Sequence, residues 1–457
     1  MVFISLNKAR RQLLIDLWYA GIVFAFTASF SSKLPIFNHL QSTKNYEATE
    51  NNVKESKING HESSVKDNIQ AAIDLRTSGN PFSAVQILET VVTEENIEAH
   101  FQLGMAYTDM GLAEEAIESF NTVNKLDKGR RKYMQDGEKR HPSIADIALA
   151  NLLLDSRGQK KRSYSVFKMA CANGYSSSRP SPVSFLSAVT ADSLGLHPKA
   201  RIFYKDALQY NPLDYFSAVG LLSNYLRFGN DDNDNPDVKK LEELLPVDML
   251  SSLDYVAKTD IWKNPSVHYF THDMLHLGMK HAKLAEEGGL ILEFGVFFGK
   301  TIRMAANYFP NFTVHGFDTF DGLPEDWRGT KAQSYSTHGA LPPAPSNVKY
   351  HVGLFSETLP KFLNELEAEE EQKEQSETPV AFVNIDCDLY SSTVDALEPI
   401  ANRIVPGTVI VFDEYVMNPR WQDDEYKAFQ QAVNRYKWNY EYLGISLVTG
   451  QAVIQII

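Results

Sequence analysis

LILEFGVFFGKT, residues 290–301, decides the fold class of the C-terminal half of this chain. An apolar run leads into a glycine-containing loop, and a helical pattern follows, which predicts a strand–loop–helix unit. Ligands of open α/β sheets bind beyond the carboxyl ends of the strands, where Gly295 and Gly299 would let the backbone approach a ligand closely. The dinucleotide fingerprint G-x-G-x-x-G requires glycine where this chain has Phe297, so the pattern disfavours a nucleotide-dependent oxidoreductase.

Short apolar runs continue to alternate with helical patterns towards the C-terminus. The predicted strands are residues 290–294, 313–317, 348–352, 380–385 and 408–412. This alternation predicts a mostly parallel sheet whose strands are joined by crossover helices. The C-terminal half is therefore predicted to be a Rossmann-like α/β domain.

The second predicted strand ends in an acid, within the run VHGFDT at residues 314–319. Asp318 follows the glycines by about twenty residues, where a carboxylate can accept hydrogen bonds from both ribose hydroxyls of a nucleoside. The structural alternative is an aspartate that caps a helix or a turn. We predict that Asp318 and the adjacent Thr319 bind a nucleoside-containing cofactor.

Two later strands also end in acids, in FVNIDCDLY at residues 382–390 and VIVFDEY at residues 409–415. Side chains alternate along a strand, so Asp386 and Asp388 can point to one side. If the two strands are parallel neighbours, both acids meet Asp413 and Glu414. Clustered carboxylates repel one another unless they are protonated or bind a cation, and a hard divalent ion prefers oxygen ligands. The alternative is a set of separate, solvated acids at strand ends.

These motifs, taken in order, resemble those of the macrocin O-methyltransferase family, a group of class I S-adenosylmethionine-dependent methyltransferases. The resemblance covers residues 293–457 and rests on EFGVFFGKT, GFDTFDGLPEDW, NIDCDLYSST and VPGTVIVFDEY. Family members methylate sugar hydroxyls of bacterial natural products and bind S-adenosylmethionine and magnesium. The resemblance implies the same two cofactors here, and a small-molecule or glycan acceptor that is sugar-like or polyhydroxylated.

The resemblance also implies roles for particular residues. The implied cofactor-binding residues are Glu293, Gly295, Gly299, Asp318 and Thr319. The implied metal ligands are Asp386, Asp413 and Glu414, with Asp388 as the base that takes the proton of the acceptor hydroxyl. The family often has two aspartates where this chain has Asp413 and Glu414, and the longer glutamate arm changes the ligand geometry. His338 and His351 are alternative bases.

The N-terminal half contains an internal repeat, clearest in AHFQLGMAYTDMGLAEEAIESFNTVNKLD at residues 99–127. Its small and large residues, Leu103, Gly104, Tyr107, Ala116 and Phe120, have the spacing of a tetratricopeptide repeat. Weaker echoes lie around residues 72–88, 150–170 and 188–212. The pattern predicts an all-α solenoid that binds a protein partner or self-associates, and the alternative is a generic helical bundle.

The formal net charge of −14 and the pI near 5.4 argue against nucleic acid as the main partner, because phosphate binding needs a concentrated basic field. Only two cysteines are present, Cys171 and Cys387, which excludes a disulfide framework and a cysteine-based zinc site.

A basic start followed by an apolar stretch at residues 13–30 is typical of a signal anchor or a cleaved targeting peptide. The alternative is an amphipathic helix packed on the next domain, which would leave the protein cytoplasmic. The predicted segments are an N-terminal segment at 1–35, a polar linker at 36–64, repeats at 65–228, a linker at 229–247 and the methyltransferase domain at 248–457.

Two functional hypotheses follow from these observations. The first is a metal-dependent O-methyltransferase carrying a repeat scaffold. The second is a repeat-based adaptor whose methyltransferase fold is inactive. The intact set of acids favours the enzyme, because clustered carboxylates are costly without a cation to bind.

Overall fold

The computed structural model describes residues 65–93, 95–131, 142–172, 181–229, 236–263, 267–268, 270–374 and 376–457. The predicted N-terminal segment and its membrane or targeting role therefore lie outside the described residues. Among the helices that are described, none is both long enough and apolar enough to cross a membrane.

The chain divides into two compact units. The first comprises the described residues up to Leu152 together with Arg328–Lys331, and the second comprises Leu153–Trp327 and Ala332–Ile457. This division reflects compactness and does not test independent folding. The domain boundary predicted at residues 229–247 therefore stays a prediction.

The first unit is built from antiparallel helix pairs. Its helices are α1 (Val65–Thr77), α2 (Pro81–Val91), α3 (Ile97–Asp109), α4 (Ala113–Arg131) and the first part of α5 (Ile144–Arg157). A Cβ added at Gly104 would lie 2.7 Å from the ring of Phe120, which is fully buried. Only glycine therefore lets α3 approach α4 this closely, as the repeat pattern predicts.

The helical part of the second unit follows the same packing rule. Its helices are α6 (Lys160–Ala172), α7 (Ser181–Ser193), α8 (His197–Tyr210), α9 (Tyr215–Phe228), α10 (Pro236–Leu244) and α11 (Val247–Ala257). A Cβ at Gly220 would lie 2.4 Å from the ring of Tyr204, and Ala188, Ala200 and Ala207, which lie within the weaker repeat around residues 188–212, are fully buried.

The rest of the second unit is an eight-stranded sheet with flanking helices. The strands are β1 (Val267–His268), β2 (Leu290–Phe294), β3 (Val314–Asp318), β4 (Val348–Val352), β5 (Val380–Ile385), β6 (Val409–Phe412), β7 (Tyr440–Ser446) and β8 (Ala452–Ile456). The helices are α12 (Thr271–His281), α13 (Lys300–Tyr308), α14 (Phe355–Gln372), α15 (Tyr390–Leu397) and α16 (Glu425–Tyr436). All five predicted strands are present, and each begins and ends within one residue of its predicted bounds.

The strand order is β1-β7-β8-β6-β5-β2-β3-β4, and only β8 runs antiparallel to its neighbours. Strands β2, β5 and β6 are buried at every position, as expected of parallel strands covered on both faces. The chain leaves β2 towards β3 and returns to β5 on the other side of β2. The crevice between β2 and β5 is thus a topological switch point, where ligands of open α/β sheets bind.

A buried ion pair fastens α14 to the region before β6. Both guanidinium nitrogens of Arg403 bind the Glu370 carboxylate, at 2.8 and 2.9 Å. The side chain of Arg403 is 4% exposed and that of Glu370 is 8% exposed. The hydrogen bonds from Arg403 lower the pKa of Glu370 to about 2.

Candidate active site

The glycine loop after β2 begins at Gly295, where both the backbone conformation and the close packing require glycine. Gly295 has φ of +85°, and a Cβ there would lie 1.7 Å from the carbonyl oxygen of Asp386. Gly299 has φ of +74° and immediately precedes α13. The glycines therefore bring the end of β2 against the segment that follows β5, at the predicted ligand crevice.

Asp318 lies at the end of β3 and holds the glycine loop in place. Its Oδ2 accepts hydrogen bonds from the backbone N–H groups of Val296 at 2.7 Å and Phe297 at 2.8 Å. Its Oδ1 accepts the N–H of Phe320 at 2.7 Å. Thr319 shapes the following turn by donating to the carbonyl oxygen of Gly322 at 3.1 Å. The contact of Asp318 and Thr319 with a cofactor stays a prediction.

Glu293 lies below the glycine loop and is 1% exposed. Its carboxylate accepts hydrogen bonds from Thr301 at 2.8 Å and from Asn384 at 3.5 Å, which links β2 to α13 and β5. Burial raises the pKa of Glu293 to about 8. The cofactor-binding role of this residue stays a prediction, because these contacts also account for a structural role.

Three of the predicted acids converge next to the loop. Asp386, Asp413 and Glu414 each offer a carboxylate oxygen, and these oxygens all lie within 4.8 Å of one another. Backbone pairing explains the convergence, since the N–H of Asp413 donates to the carbonyl oxygen of Ile385 at 3.0 Å. Burial, and then the charges of Asp413 and Asp388, hold the pKa of Asp386 well above its usual range.

The three carboxylates fit a hard divalent cation. Magnesium binds oxygen ligands at about 2.1 Å, so ligand oxygens on opposite sides of the ion are about 4.2 Å apart. Adjacent ligands of the same ion are only about 3 Å apart, so the observed oxygens, which lie within 4.8 Å of one another, would have to close around the ion. The burial and mutual repulsion of these acids also give a cation a clear electrostatic advantage.

Asp388 lies two residues beyond Asp386 in a left-handed conformation, with φ of +63°. Cys387 between them is 7% exposed, and its thiol contacts the Thr393 hydroxyl at 3.5 Å. Among the described residues, the cluster of three carboxylates does not include Asp388. This placement is compatible with separate roles for Asp386 and Asp388, which stay predictions.

The alternative bases lie elsewhere on the sheet. His351 is on β4, three strands away from β5, which corresponds to about 14 Å at the usual strand spacing. Its Nε2 lies 3.0 Å from Nδ1 of His315, and its ring stacks on Phe317. His338 is exposed in the loop between β3 and β4. The geometry therefore favours Asp388 over His351 as a group that can reach the acidic cluster.

The long loop between β3 and β4 packs beside the end of β5. Leu323 and Trp327 form an apolar cluster with Leu389, which directly follows Asp388. The indole N–H of Trp327 donates to the Asp424 carboxylate at 3.0 Å. The loop between β3 and β4 thus packs against the segment that follows Asp388 and against the start of α16.

Glu425 is a buried acid that the sequence analysis did not single out. It is fully buried at the start of α16, and its Oε2 accepts the N–H of Glu414 at 2.9 Å. An acid in the first turn of a helix is ordinarily a solvated residue, so no local pattern marks it. Gln451 was also missed, and its side-chain amide donates to Oδ1 of Asp413 from the turn before β8.

Comparison with known proteins identifies both halves of the chain at the level of domains. A family model described as a methyltransferase domain matches residues 292–415, and one described as a tetratricopeptide repeat matches residues 97–129. No curated protein matches the chain significantly.

Several solved structures are similar to parts of the chain. A crystal structure of MamA is 22% identical over 38% of this chain and 93% of that chain, with a TM-score of 0.31. MamA from Desulfovibrio magneticus RS-1 is 18% identical over 39% of this chain and 94% of the MamA chain, with a TM-score of 0.32. CalS11, a calicheamicin methyltransferase, is 21% identical over 49% of this chain and 94% of the CalS11 chain, with a TM-score of 0.28.

The chain therefore contains tetratricopeptide repeats followed by a methyltransferase domain. The predicted fold class, a repeat solenoid followed by a Rossmann-like α/β domain, is confirmed by the helix pairs, the sheet and the two matches. A methyltransferase domain implies S-adenosylmethionine as the methyl donor. The narrower resemblance to the macrocin family is not established by these matches.

Proposed function

We propose that this protein is a divalent-metal-dependent O-methyltransferase that transfers a methyl group from S-adenosylmethionine to a hydroxyl of a sugar-like or polyhydroxylated acceptor. The observation that carries the proposal is the convergence of Asp386, Asp413 and Glu414 beside the glycine loop of a methyltransferase domain. Clustered carboxylates repel one another unless they are protonated or bind a cation, and Glu414 is buried.

The cofactor site is proposed at the switch point between β2 and β5. Gly295 brings the end of β2 against the Asp386 backbone at this crevice, and Asp318 fixes the glycine loop by accepting the backbone N–H groups of Val296 and Phe297. The proposed roles of Glu293 and Thr319 are to support this loop and the turn after β3.

The metal site is proposed at Asp386, Asp413 and Glu414, with magnesium as the physiological ion. A bound divalent ion supplies a Lewis acid that lowers the pKa of an acceptor hydroxyl. Gln451 orients the Asp413 carboxylate through its side-chain amide. These residues thereby position the hydroxyl oxygen for attack.

The base is proposed to be Asp388. It would accept the proton of the acceptor hydroxyl while the oxygen forms a bond to the methyl carbon and the carbon–sulfur bond breaks. S-adenosylmethionine would supply the methyl group, its sulfur would keep the electron pair of the broken carbon–sulfur bond, and the proton of the acceptor would reside on Asp388. Asp388 has a left-handed backbone and is not one of the three acids whose carboxylate oxygens converge.

The test of this proposal is metal dependence of methyl transfer. Full-length protein would be incubated with radiolabelled S-adenosylmethionine and a panel of glycans and polyhydroxylated metabolites. Turnover should disappear in excess chelator and return with magnesium, while cofactor binding measured by calorimetry persists. Full turnover in chelator would refute the metal requirement.

The repeats are proposed to bind a protein partner or a second copy of the chain, as tetratricopeptide repeats stack to expose an extended surface. In the alternative function, the repeats recruit a partner and the methyltransferase fold is inactive. Failure of the protein to bind S-adenosylmethionine would favour that alternative.

A further inference from the structure

Glu425 stands apart from the acids considered so far. It is the first residue of α16, beyond the end of the matched methyltransferase segment at residue 415. Its side chain is fully buried, and the charges that act on it most strongly are those of Asp413 and Asp388. A carboxylate in this position must either organise the acidic cluster or stabilise the fold around it.

The Glu425 carboxylate faces both segments that carry the proposed ligands, the one after β5 and the one after β6. Its Oε2 accepts the backbone N–H of Glu414 at 2.9 Å. The backbone amide of Cys387 also lies close enough to this carboxylate to favour its charged form. Cys387 lies between Asp386 and Asp388 after β5, whereas Glu414 follows β6. A single side chain therefore faces the ends of two neighbouring strands and is hydrogen-bonded to the segment after β6.

The second carboxylate oxygen of Glu425 is unusual. Oε1 is buried and has no hydrogen-bond partner among the residues that the structure describes. A buried oxygen without a donor is costly, and the cost is larger beside another negative charge such as Asp413. A nearby cation would offset that cost, as it would offset the repulsion within the three-acid cluster.

The helix start itself does not explain Glu425. The preceding residue, Asp424, makes no side-chain cap to the helix and instead accepts the indole N–H of Trp327. Glu425 likewise points its carboxylate away from its own helix, to the amides after β5 and β6. An acid that served only the helix dipole would remain near the first-turn N–H groups.

We propose that Glu425 is a positioning residue of the cation site, whose carboxylate sets the spacing between the Asp386 segment and the Asp413–Glu414 segment. This inference rests on the proposed metal-dependent function. Residues that orient metal ligands typically change metal affinity by about 10- to 100-fold when they are replaced.

Two conservative variants separate positioning from charge. Glu425→Gln keeps the length of the side chain and one oxygen acceptor but removes the negative charge. Glu425→Asp keeps the charge but is one carbon shorter, so it cannot reach both amides from α16. If Glu425 acts mainly by positioning, Glu425→Asp should weaken magnesium binding by about 10- to 100-fold, and Glu425→Gln, which loses only the attraction between Oε1 and the ion, should weaken it by a clearly smaller factor.

Magnesium and S-adenosylmethionine binding to the full-length chain would be measured by calorimetry, with thermal melting of the metal-free protein as the check of folding. Glu357→Gln is the matched control, since Glu357 is a first-turn acid of α14 that is exposed. The control should bind magnesium as the wild type does.

The outcomes are distinct. Equal weakening in both variants would overturn the inference, because charge and not spacing would then set the affinity. Unchanged affinity in Glu425→Asp, or a loss of melting temperature without loss of affinity, would also overturn it by showing a structural role only. If the wild type itself binds no divalent cation, the proposed function fails instead.

Discussion

Replacing Gly295 with alanine tests whether the metal site depends on the close approach of two strand ends. The new Cβ would lie 1.7 Å from the Asp386 carbonyl oxygen, whereas real Cβ contacts are essentially never under 3.0 Å. The two segments would have to separate by about 1.3 Å. Functional residues must be held within about 0.5 Å of their productive geometry, so magnesium affinity should fall by about tenfold or more.

Gly288→Ala is the matched control for backbone strain. Gly288 has φ of +91°, close to that of Gly295, but no atom lies within 4 Å of the added Cβ. Each alanine costs about 1–2 kcal/mol for the left-handed conformation, or about 2–8 °C in melting temperature for a domain of about 200 residues. Only Gly295→Ala adds the collision with Asp386, so it should melt lower than the control.

Melting would be followed by differential scanning calorimetry, and magnesium and S-adenosylmethionine binding by titration calorimetry. The control should bind magnesium with wild-type affinity. Wild-type magnesium affinity in folded Gly295→Ala would refute the argument, because the approach of the two strand ends would then be irrelevant to the site.

The remaining predictions concern the acids, the buried ion pair and the domain boundary. Asp386→Asn should weaken magnesium binding and be partly rescued by excess magnesium. Asp388→Asn should keep metal and cofactor binding but lower turnover by about 10²- to 10⁴-fold. Equal loss of metal affinity in magnesium titrations of the two variants would make Asp388 a ligand. The folded-state pKa of Glu370 is lowered from 4.5 to about 2, so its ion pair stabilises the protein above about pH 4.5 and this stability is lost as the pH falls towards 2. In melting curves against pH, Glu370→Gln should therefore lower the melting temperature at pH 7 and converge on wild type in acid, unlike exposed Glu369→Gln; a constant difference at all pH values would contradict this. A fragment of residues 248–457 should bind S-adenosylmethionine with near-native affinity in calorimetry, and a folded fragment that does not bind would place part of the cofactor site in the repeats.

Two features of the protein, one in the site and one in the repeats, could be predicted because they depend on short-range rules. Consecutive parallel strands end at the same edge of a sheet, so acids immediately after two adjacent strands must be neighbours. That rule is sufficient to predict that Asp386 and Asp413 are neighbours. The repeat positions Gly104 and Phe120 were predictable for a similar reason, since helix spacing places them opposite each other.

Other features depend on contacts between residues far apart in the chain. Glu425 and Gln451 reach the cluster from α16 and from the turn before β8, and their local sequences look like an ordinary helix start and an ordinary turn. Asp318 was predicted to face a ribose, which stays a prediction, and in the structure its carboxylate holds the glycine loop. Local patterns carry no information on which distant backbone N–H a side chain will meet.

By itself, the sequence determined the order of helices and strands, the glycine loop, and the set of acids at the strand ends, because all three follow from hydrophobic periodicity and from the direction of parallel strands. Only the tertiary structure decided that β8 inserts antiparallel between β6 and β7, that Gly295 packs against Asp386, and that Glu425 is buried beneath the acids. Strand pairing and burial are set by packing of segments distant in the chain, and the same local pattern is compatible with several such arrangements.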